Sequence, residues 1–151
     1  MAYKVFIDTN VILDIFLKRE PLFNNSQKAV LKCLKNDLIP HISGSSLTDL
    51  FYICKKSGMA RDTILVHLKS LLKAFEVIII DKNSILEAIA SDIKDFEDAV
   101  QILACQRDKI DLIITRNKKD FKTDGIPVQT PDEFLVSILK GEFSLDSKYS
   151  H

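Results

Sequence analysis

Short apolar runs alternate along this chain with stretches that repeat apolar residues every three or four positions. An unbroken apolar run is typical of a strand buried on both faces, whereas the longer spacing is typical of an amphipathic helix. The runs predict strands at 5–7, 38–42, 75–80 and 112–114, with a weaker one at 127–128. Helical spacing is clearest at 26–34 and 64–72. Strands that alternate with helices in this way predict an α/β fold with a mainly parallel sheet.

Polar residues indicate where several of the predicted helices begin. Ser84 begins a Ser-Ile-Leu-Glu segment that has the form of a capping box, and Ser46 begins a similar segment that ends in Asp49. Thr130 precedes a proline and two acids, a pattern typical of a first helical turn. We therefore expect helix starts at all three positions.

Length and charge narrow the class of protein. The 151 residues suffice for one core and no linker divides them, so we expect one domain over 1–140 and a polar tail over 141–151 that frays. The 21 basic and 21 acidic residues cancel, so any contact with nucleic acid needs a local basic patch. No apolar run is long enough for a membrane span or a secretion signal, and the cysteines are widely spaced among aliphatic residues. These features predict a cytoplasmic protein with reduced thiols and no membrane partner.

Carboxylates and an amide fall at the ends of predicted strands and at a helix start. Asp8 comes directly after the first strand, Asn117 lies in the turn after the fourth, and Asp98 ends an acidic segment that begins at Asp95. Because the carboxyl ends of parallel strands form the ligand crevice of an α/β sheet, these side chains can converge at one edge. The alternative is simple helix capping, since acids are favoured at helix N-termini and Asp95 as the cap would free Asp98.

The ordered set of these motifs resembles the PIN domain family. The motifs are Asp8-Thr9-Asn10-Val11-Ile12-Leu13-Asp14, Asp49, Asp95-Phe96-Glu97-Asp98-Ala99 and Thr115-Arg116-Asn117-Lys118-Lys119-Asp120-Phe121. The resemblance spans nearly the whole chain, and it is strongest to the bacterial group that includes VapC-type toxins. It implies a three-layer α/β/α PIN-like fold over 1–140, with a central, mainly parallel sheet of four to five strands.

The same resemblance implies a metal-dependent ribonuclease. Matched position by position, the catalytic set is Asp8, Asp49, Asp98 and Asn117, and the ligands of Mg²⁺ or Mn²⁺ are Asp8 and Asp98. Mg²⁺ is a hard cation that takes oxygen ligands and is commonly anchored by one or two carboxylates. The implied partners are an RNA substrate, an antitoxin protein and a second copy of the chain in a homodimer.

Two positions depart from the family pattern. Asp49 stands where Glu is more common, and Asn117 stands where many relatives carry a fourth acid. Asp49 is one methylene shorter than Glu and would act through a water molecule or not at all. The neutral Asn117 weakens a second metal site, for which Asp120 could compensate. Both departures also keep open a second interpretation, a PIN-fold module that binds RNA or a partner without turnover. Asn10 and Thr115 match polar positions that orient the metal ligands in relatives.

Other chemistry fits the sequence less well. A phosphatase of the haloacid dehalogenase type needs a second Asp where this chain has Asn10, and a receiver domain is matched only in fragments. The histidines lack the spacing of zinc ligands or of a general base. Basic residues flank the predicted acid cluster and form either a border for phosphates or a solvated turn. They are Arg116, Lys118, Lys119 and Lys122.

Overall fold

The protein folds around a five-stranded sheet, and the computed structural model describes residues 2–123 and 125–143. The strands are β1 (Lys4–Ile7), β2 (Ile39–Ser43), β3 (Glu76–Ile78), β4 (Leu112–Ile114) and β5 (Val128–Gln129). Their order is β3-β2-β1-β4-β5, and all neighbouring pairs are parallel. The expected parallel sheet is confirmed, with the weak strand at 127–128 shifted by one residue to form its edge.

Helices cover both faces of the sheet. The α-helices of the described residues are α1 (Thr9–Phe16), α2 (Phe23–Lys35), α3 (Gly44–Lys56), α4 (Arg61–Ala74), α5 (Lys82–Ala90), α6 (Phe96–Arg107) and α7 (Pro131–Leu139). A short 3₁₀ helix at Lys118–Asp120 follows β4. The helices predicted at 26–34 and 64–72 are confirmed as the central parts of α2 and α4, and the α/β/α architecture is confirmed.

The central strands contribute to two separate cores. Val5 and Ile7 of β1 pack into the larger core, whereas Phe6 points to the opposite face and packs into the smaller one. In β4, Ile113 likewise belongs to the smaller core. Because both faces of these strands are covered, residues 5–7 of β1 and all of β4 are apolar, and the usual alternation with polar residues is lost.

The strand order places the carboxyl ends of β1 and β4 side by side at the centre of the sheet. The backbone N–H of Asp8, the first residue after β1, donates to the carbonyl of Ile114 at 3.0 Å. The N–H of Thr115, the first residue after β4, donates to the carbonyl of Gln129 of β5 at 2.9 Å. The connections leave β1 and β4 towards opposite sides here, so this edge is a topological switch point, where open α/β sheets bind ligands.

Two of the predicted helix starts are wrong. The carboxylate of Asp81 caps α5 by accepting a 2.9 Å hydrogen bond from the N–H of Ser84, so Ser84 lies inside the first turn. In the same way, the hydroxyl of Ser43 accepts from the N–H of Ser46, and Asp49 lies inside α3 instead of completing a capping box. In each case a polar residue three positions earlier, at the end of the preceding segment, takes the cap.

The start of α7 is confirmed. Thr130 caps it, Glu133 completes the capping box, and a proline is the first helical residue. The strand predicted at 75–80 is shorter than expected, because Ile78 pairs with Ser43, the last residue of β2, and α3 then leads the chain away.

The predicted polar tail begins beyond α7. Residues 141–143 form a turn there, and the rest of the tail, 144–151, lies outside the described residues. Among the helices of the described ranges, none has both the length and the apolarity needed to cross a bilayer.

Candidate active site

The carboxylate of Asp8 is buried at the switch point, with 7% of the residue exposed. Asp8 occupies the N-cap position of α1, but its side chain makes no capping hydrogen bond. Instead, its Oδ2 accepts a 2.9 Å hydrogen bond from the hydroxyl of Thr115, which is itself buried at the end of β4. The N–H of Asn117 donates to the same hydroxyl oxygen at 3.1 Å. The turn after β4 thus fixes the orientation of Asp8.

Burial raises the pKa of Asp8 above its ordinary value, because the charged form loses contact with water. The Thr115 hydroxyl, the N–H of Thr9 and the charge of Arg116 act in the opposite direction and lower this pKa. The nearby charge of Asp120 raises it further. A buried carboxylate in such surroundings gains stability from a bound cation.

Asp98 lies in the first turn of α6, at the same edge of the sheet. Asp95 caps that helix by accepting a 2.9 Å hydrogen bond from the N–H of Asp98. The side chain of Asp98 is therefore not used as the cap. Burial, and then the charges of Asp95, Asp120, Glu97 and Asp8, raise the pKa of Asp98 to about 6. Asp8 and Asp98, distant in the chain, therefore lie within electrostatic reach of each other.

Asp49 reaches the acidic cluster from α3, where it is partly exposed. Burial raises the pKa of Glu97, and the charges of Asp49, Asp95 and Asp8 raise it further. Asp49 therefore faces Glu97 most directly, and it is not among the main charges that act on Asp98. Glu97 was not predicted from the sequence as a member of the cluster, although its position next to Asp98 in an acidic segment was a signal.

The turn after β4 contributes to the cluster through Asp120 more than through Asn117. Asn117 is exposed and precedes the 3₁₀ helix, where its side chain makes no capping hydrogen bond. Asp120 ends that helix, and its charge raises the pKa of both Asp8 and Asp98. Many relatives carry a fourth acid at the position of Asn117. In this chain, the negative charge from the turn after β4 comes from Asp120 instead.

Hydroxyl groups link the helices that carry Asp8 and Asp49. Thr9 donates a 2.6 Å hydrogen bond to the hydroxyl of Ser46, and the hydroxyls of Ser46 and Ser43 lie 2.7 Å apart. This chain of contacts fixes the start of α1 against the start of α3. By contrast, Asn10, expected to orient a ligand, makes no side-chain hydrogen bond within residues 2–123 and 125–143.

A buried ion pair lies behind the acidic cluster. Asp14 of α1 is fully buried; its Oδ2 lies 2.8 Å from Nε of Arg116, and its Oδ1 lies 3.9 Å from Nη1 of Arg19. The hydroxyl of Ser26 donates to Oδ2 at 3.2 Å. Burial raises the pKa of Asp14, and Arg116, Ser26 and Arg19 oppose that rise. The sequence analysis missed this pair, although an acid on the apolar face of α1 was a signal.

Comparison with known proteins identifies the family of this fold. Residues 4–119 match the model of a PIN domain family. The chain belongs to the PIN domain family. This PIN domain is 30% identical over 136 residues to Ribonuclease VapC1 of Aquifex aeolicus (strain VF5), and the match covers 87% of this chain and 92% of that protein.

Solved structures share the fold of this PIN domain. A chain of a toxin-antitoxin complex from Klebsiella pneumoniae superimposes with a TM-score of 0.62 at 25% identity, over 84% of this chain and 97% of that chain. A chain of DNA-bound VapBC from Salmonella typhimurium gives a TM-score of 0.60 at 18% identity, over 85% and 98% of the two chains. At 18% identity, the similarity to the Salmonella typhimurium chain shows a shared fold alone.

The donor set of the PIN domain fits a hard divalent cation. Carboxylates from β1, α3, α6 and the turn after β4 gather at one edge, whereas the cysteines are buried as free thiols. Carboxylate oxygens suit Mg²⁺ and Mn²⁺, which keep bound waters beside a few protein ligands. In the described part of the chain, no three acidic, histidine or cysteine side chains are close enough to share an ion as they stand. Two carboxylates with water ligands are therefore the simplest fit.

Two clefts lie beside the turn after β4, and Asp120 of the acidic cluster lines the second. One, of about 460 Å³, lies between the starts of α2 and α7, and another, of about 400 Å³, lies along the 3₁₀ helix. Arg116, Asn117 and Thr130 line both clefts, and Lys118 and Lys119 line the second. The basic residues after β4 thus border the clefts beside the acids.

Proposed function

We propose that this PIN domain is an endoribonuclease that depends on Mg²⁺ or Mn²⁺ and hydrolyses RNA phosphodiester bonds. The observation that carries the proposal is the position of Asp8 at the switch point of the sheet, where its charge is one of those that raise the pKa of Asp98. The curated relative at 30% identity is named a ribonuclease, which supports RNA as the substrate.

In this proposal Asp8 and Asp98 hold the divalent cation, and Asp49 and Asn117 complete the catalytic set. When bound, the cation lowers the pKa of a coordinated water and offsets the negative charge that develops on the phosphoryl oxygens. Thr115 keeps Asp8 oriented through its hydrogen bond. Asp49 is not one of the two proposed ligands, and its charge raises the pKa of Glu97.

Hydrolysis also requires a proton to move. The water oxygen forms a bond to phosphorus as the water loses a proton, the bond from phosphorus to the sugar oxygen breaks, and that oxygen takes up a proton from solvent water. Glu97 is suited to accept the proton of the water, because burial and its acidic neighbours raise its pKa. It belongs to the cluster without being one of the two proposed ligands.

We further propose that the protein is the toxin of a toxin-antitoxin pair. The chain from Klebsiella pneumoniae, at 25% identity, belongs to a toxin-antitoxin complex, which supports an antitoxin as partner. A homodimer remains a prediction that follows from the family resemblance, and a cytoplasmic location remains a prediction from the cysteines and the apolar runs of the sequence. Size-exclusion chromatography with light scattering tests the first of these directly.

A module that binds RNA or a partner without turnover is the second candidate. Its support is the spacing of the acids, since no three of them in the described ranges approach closely enough to share an ion as they stand. A second argument is that Asn117 is neutral and exposed. This candidate predicts RNA binding that no divalent cation converts into cleavage.

Cleavage of end-labelled single-stranded RNA discriminates the two candidates. Wild-type protein should cleave with Mg²⁺ or Mn²⁺ and not with a chelator, and Asp98→Asn should lose at least about a hundredfold in rate. Asp37→Asn is the matched control, because Asp37 is an exposed acid on the loop before β2 with a φ of 56°, which Asn tolerates. Equal cleavage by wild type and Asp98→Asn would assign the activity to a contaminant, and binding without cleavage would favour the second candidate.

A further inference from the structure

Arg116 lies between a buried carboxylate and the polar clefts beside the acidic cluster. Its Nε is 2.8 Å from Oδ2 of Asp14, and 26% of its side chain is exposed. The contact is an ion pair and not an aligned hydrogen bond. Within residues 2–123 and 125–143, the terminal nitrogens of the guanidinium make no hydrogen bond. One side of this group is therefore neutralised from within the protein, and the other can bind an anion.

Asp14 restricts the position of that guanidinium. A fully buried carboxylate is costly unless a cation accompanies it, so Asp14 holds the charge of Arg116 close to α1. Arg19 is farther away, at 3.9 Å, and more exposed. The entropy of ordering the Arg116 side chain is thus lost during folding and not when a ligand binds.

The backbone around Arg116 also belongs to the candidate active site. Thr115 bonds the carboxylate of Asp8, and the N–H of Asn117 bonds the hydroxyl of Thr115. The charge of Arg116 lowers the pKa of Asp8, so the guanidinium lies within electrostatic reach of the proposed metal ligand. A phosphate bound by Arg116 would therefore lie beside the acidic cluster.

An RNA strand needs a positively charged side chain at such a position. The acidic cluster suits a divalent cation but repels the phosphates that flank the one to be cleaved. A guanidinium is planar and can bond two oxygens of one phosphate, which fixes the register of the strand. Lys118 is less suited, because its single ammonium nitrogen, which lies 3.2 Å from a carboxylate oxygen of Glu133, is a point charge and has no planar set of donors for two phosphate oxygens.

We propose that Arg116 binds an RNA phosphate adjacent to the scissile one and that Asp14 is the positioning residue that holds its guanidinium. This inference rests on the ribonuclease function proposed above. It adds a substrate-binding group outside the set of metal ligands, and it separates Arg116 from the exposed lysines of the same turn.

The test is RNA binding in the presence of a chelator, where no cleavage interferes. Fluorescence anisotropy of a labelled single-stranded RNA is measured over a range of salt concentrations. Arg116→Gln should weaken binding about five- to tenfold at low salt and should reduce the slope of log affinity against log salt by about 0.7, the value for one phosphate contact on a single strand. Arg116→Lys should restore the slope, because it keeps the charge, but only part of the affinity.

Arg107→Gln is the matched control for loss of an ion-paired arginine. Arg107 ends α6, at the opposite end of that helix from Asp98, and pairs with Asp108 and Asp81. Its loss should lower the melting temperature and leave the RNA affinity and the salt slope at their wild-type values. All binding is measured well below the melting temperature of each variant.

Asp14→Asn tests the positioning role. This variant keeps the charge of Arg116 but loses the carboxylate that holds it, so KM for RNA should rise severalfold while kcat and the salt slope change little. A loss confined to kcat would overturn the positioning role of Asp14. Should Asp14→Asn fail to fold, the Arg116 variants decide the proposal.

Wild-type affinity and salt slope in folded Arg116→Gln would overturn the inference, even if wild-type protein cleaves RNA with Mn²⁺. Conversely, a wild type that binds RNA but never cleaves it would contradict the proposed ribonuclease function. In that case the binding experiment in chelator still decides the role of Arg116. The two failures are therefore distinguishable.

Discussion

The hydroxyl of Thr115 donates a 2.9 Å hydrogen bond to Oδ2 of Asp8, across 107 positions of the chain. The register of the sheet makes this contact, because β1 and β4 are parallel neighbours and each residue directly follows its strand. The bond fixes a buried carboxylate in one orientation before any ligand binds. The geometry of the candidate site therefore depends on the centre of the fold and not on a flexible loop.

Loss of the Thr115 hydroxyl should destabilise the protein at neutral pH. Thr115→Val leaves the buried carboxylate of Asp8 without this donor, at a cost of about 1.5–3 kcal/mol, the range for hydrogen bonds to charged groups. Denaturant unfolding at pH 7 measures the loss. Thr63→Val is the control, since Thr63 is exposed on α4. A loss no larger than that of the control would mean that the hydrogen bond contributes little.

Divalent cations should stabilise the folded protein through Asp8. A ligand that binds only the folded state raises the melting temperature, so Mg²⁺ or Mn²⁺ should shift the wild-type transition upwards. Asp8→Asn should abolish most of that shift, whereas Asp37→Asn should retain it. Differential scanning fluorimetry with chelator as reference gives the comparison. An unchanged shift in Asp8→Asn would remove Asp8 from the metal site.

The raised pKa of Asp98 makes stability depend on pH. The folded-state pKa is about 6, against an ordinary value of 3.8, so folding favours the protonated form. The stabilising contribution is complete below the ordinary value and is lost as the pH rises through about 6. In chelator, the free energy of unfolding of the wild type should therefore fall relative to that of Asp98→Asn between these pH values. Parallel curves for the two proteins would contradict the shift.

Asp120 should matter more for the cation than Asn117 does. The charge of Asp120 acts on both Asp8 and Asp98, whereas the Asn117 side chain is neutral and makes no capping hydrogen bond. Asp120→Asn should therefore reduce the metal-induced rise in melting temperature more than Asn117→Ala does. The reverse order would favour Asn117 over Asp120 as the fourth member of the catalytic set.

The fold was predictable where burial decides the residue pattern. β1 and β4 are covered on both faces, so their apolar runs identified them and their order along the chain predicted a parallel sheet. Because ligands bind at the carboxyl ends of strands, the parallel sheet predicted that Asp8 and Asp98 converge at this edge. Asp95 as a helix cap followed from local chemistry, because its carboxylate satisfies the first turn of α6.

Tertiary contacts were not predictable in the same way. Ser43 and Ser46 are three residues apart, and the sequence allows either of them as the N-cap of α3. Ser43 takes the cap because β2 ends there. The pairing of Asp14 with Arg116 depends on how α1 packs against the turn after β4, which no local pattern encodes.

The decisive experiment is a crystal structure of the protein soaked in Mn²⁺, because the anomalous signal locates the ion. One peak is expected, bounded by carboxylate oxygens of both Asp8 and Asp98, at about 2.1 Å, the distance typical of Mg²⁺. A peak held by other residues, or carboxylates of Asp8 and Asp98 that face different sides of the sheet edge, would contradict the proposed metal site.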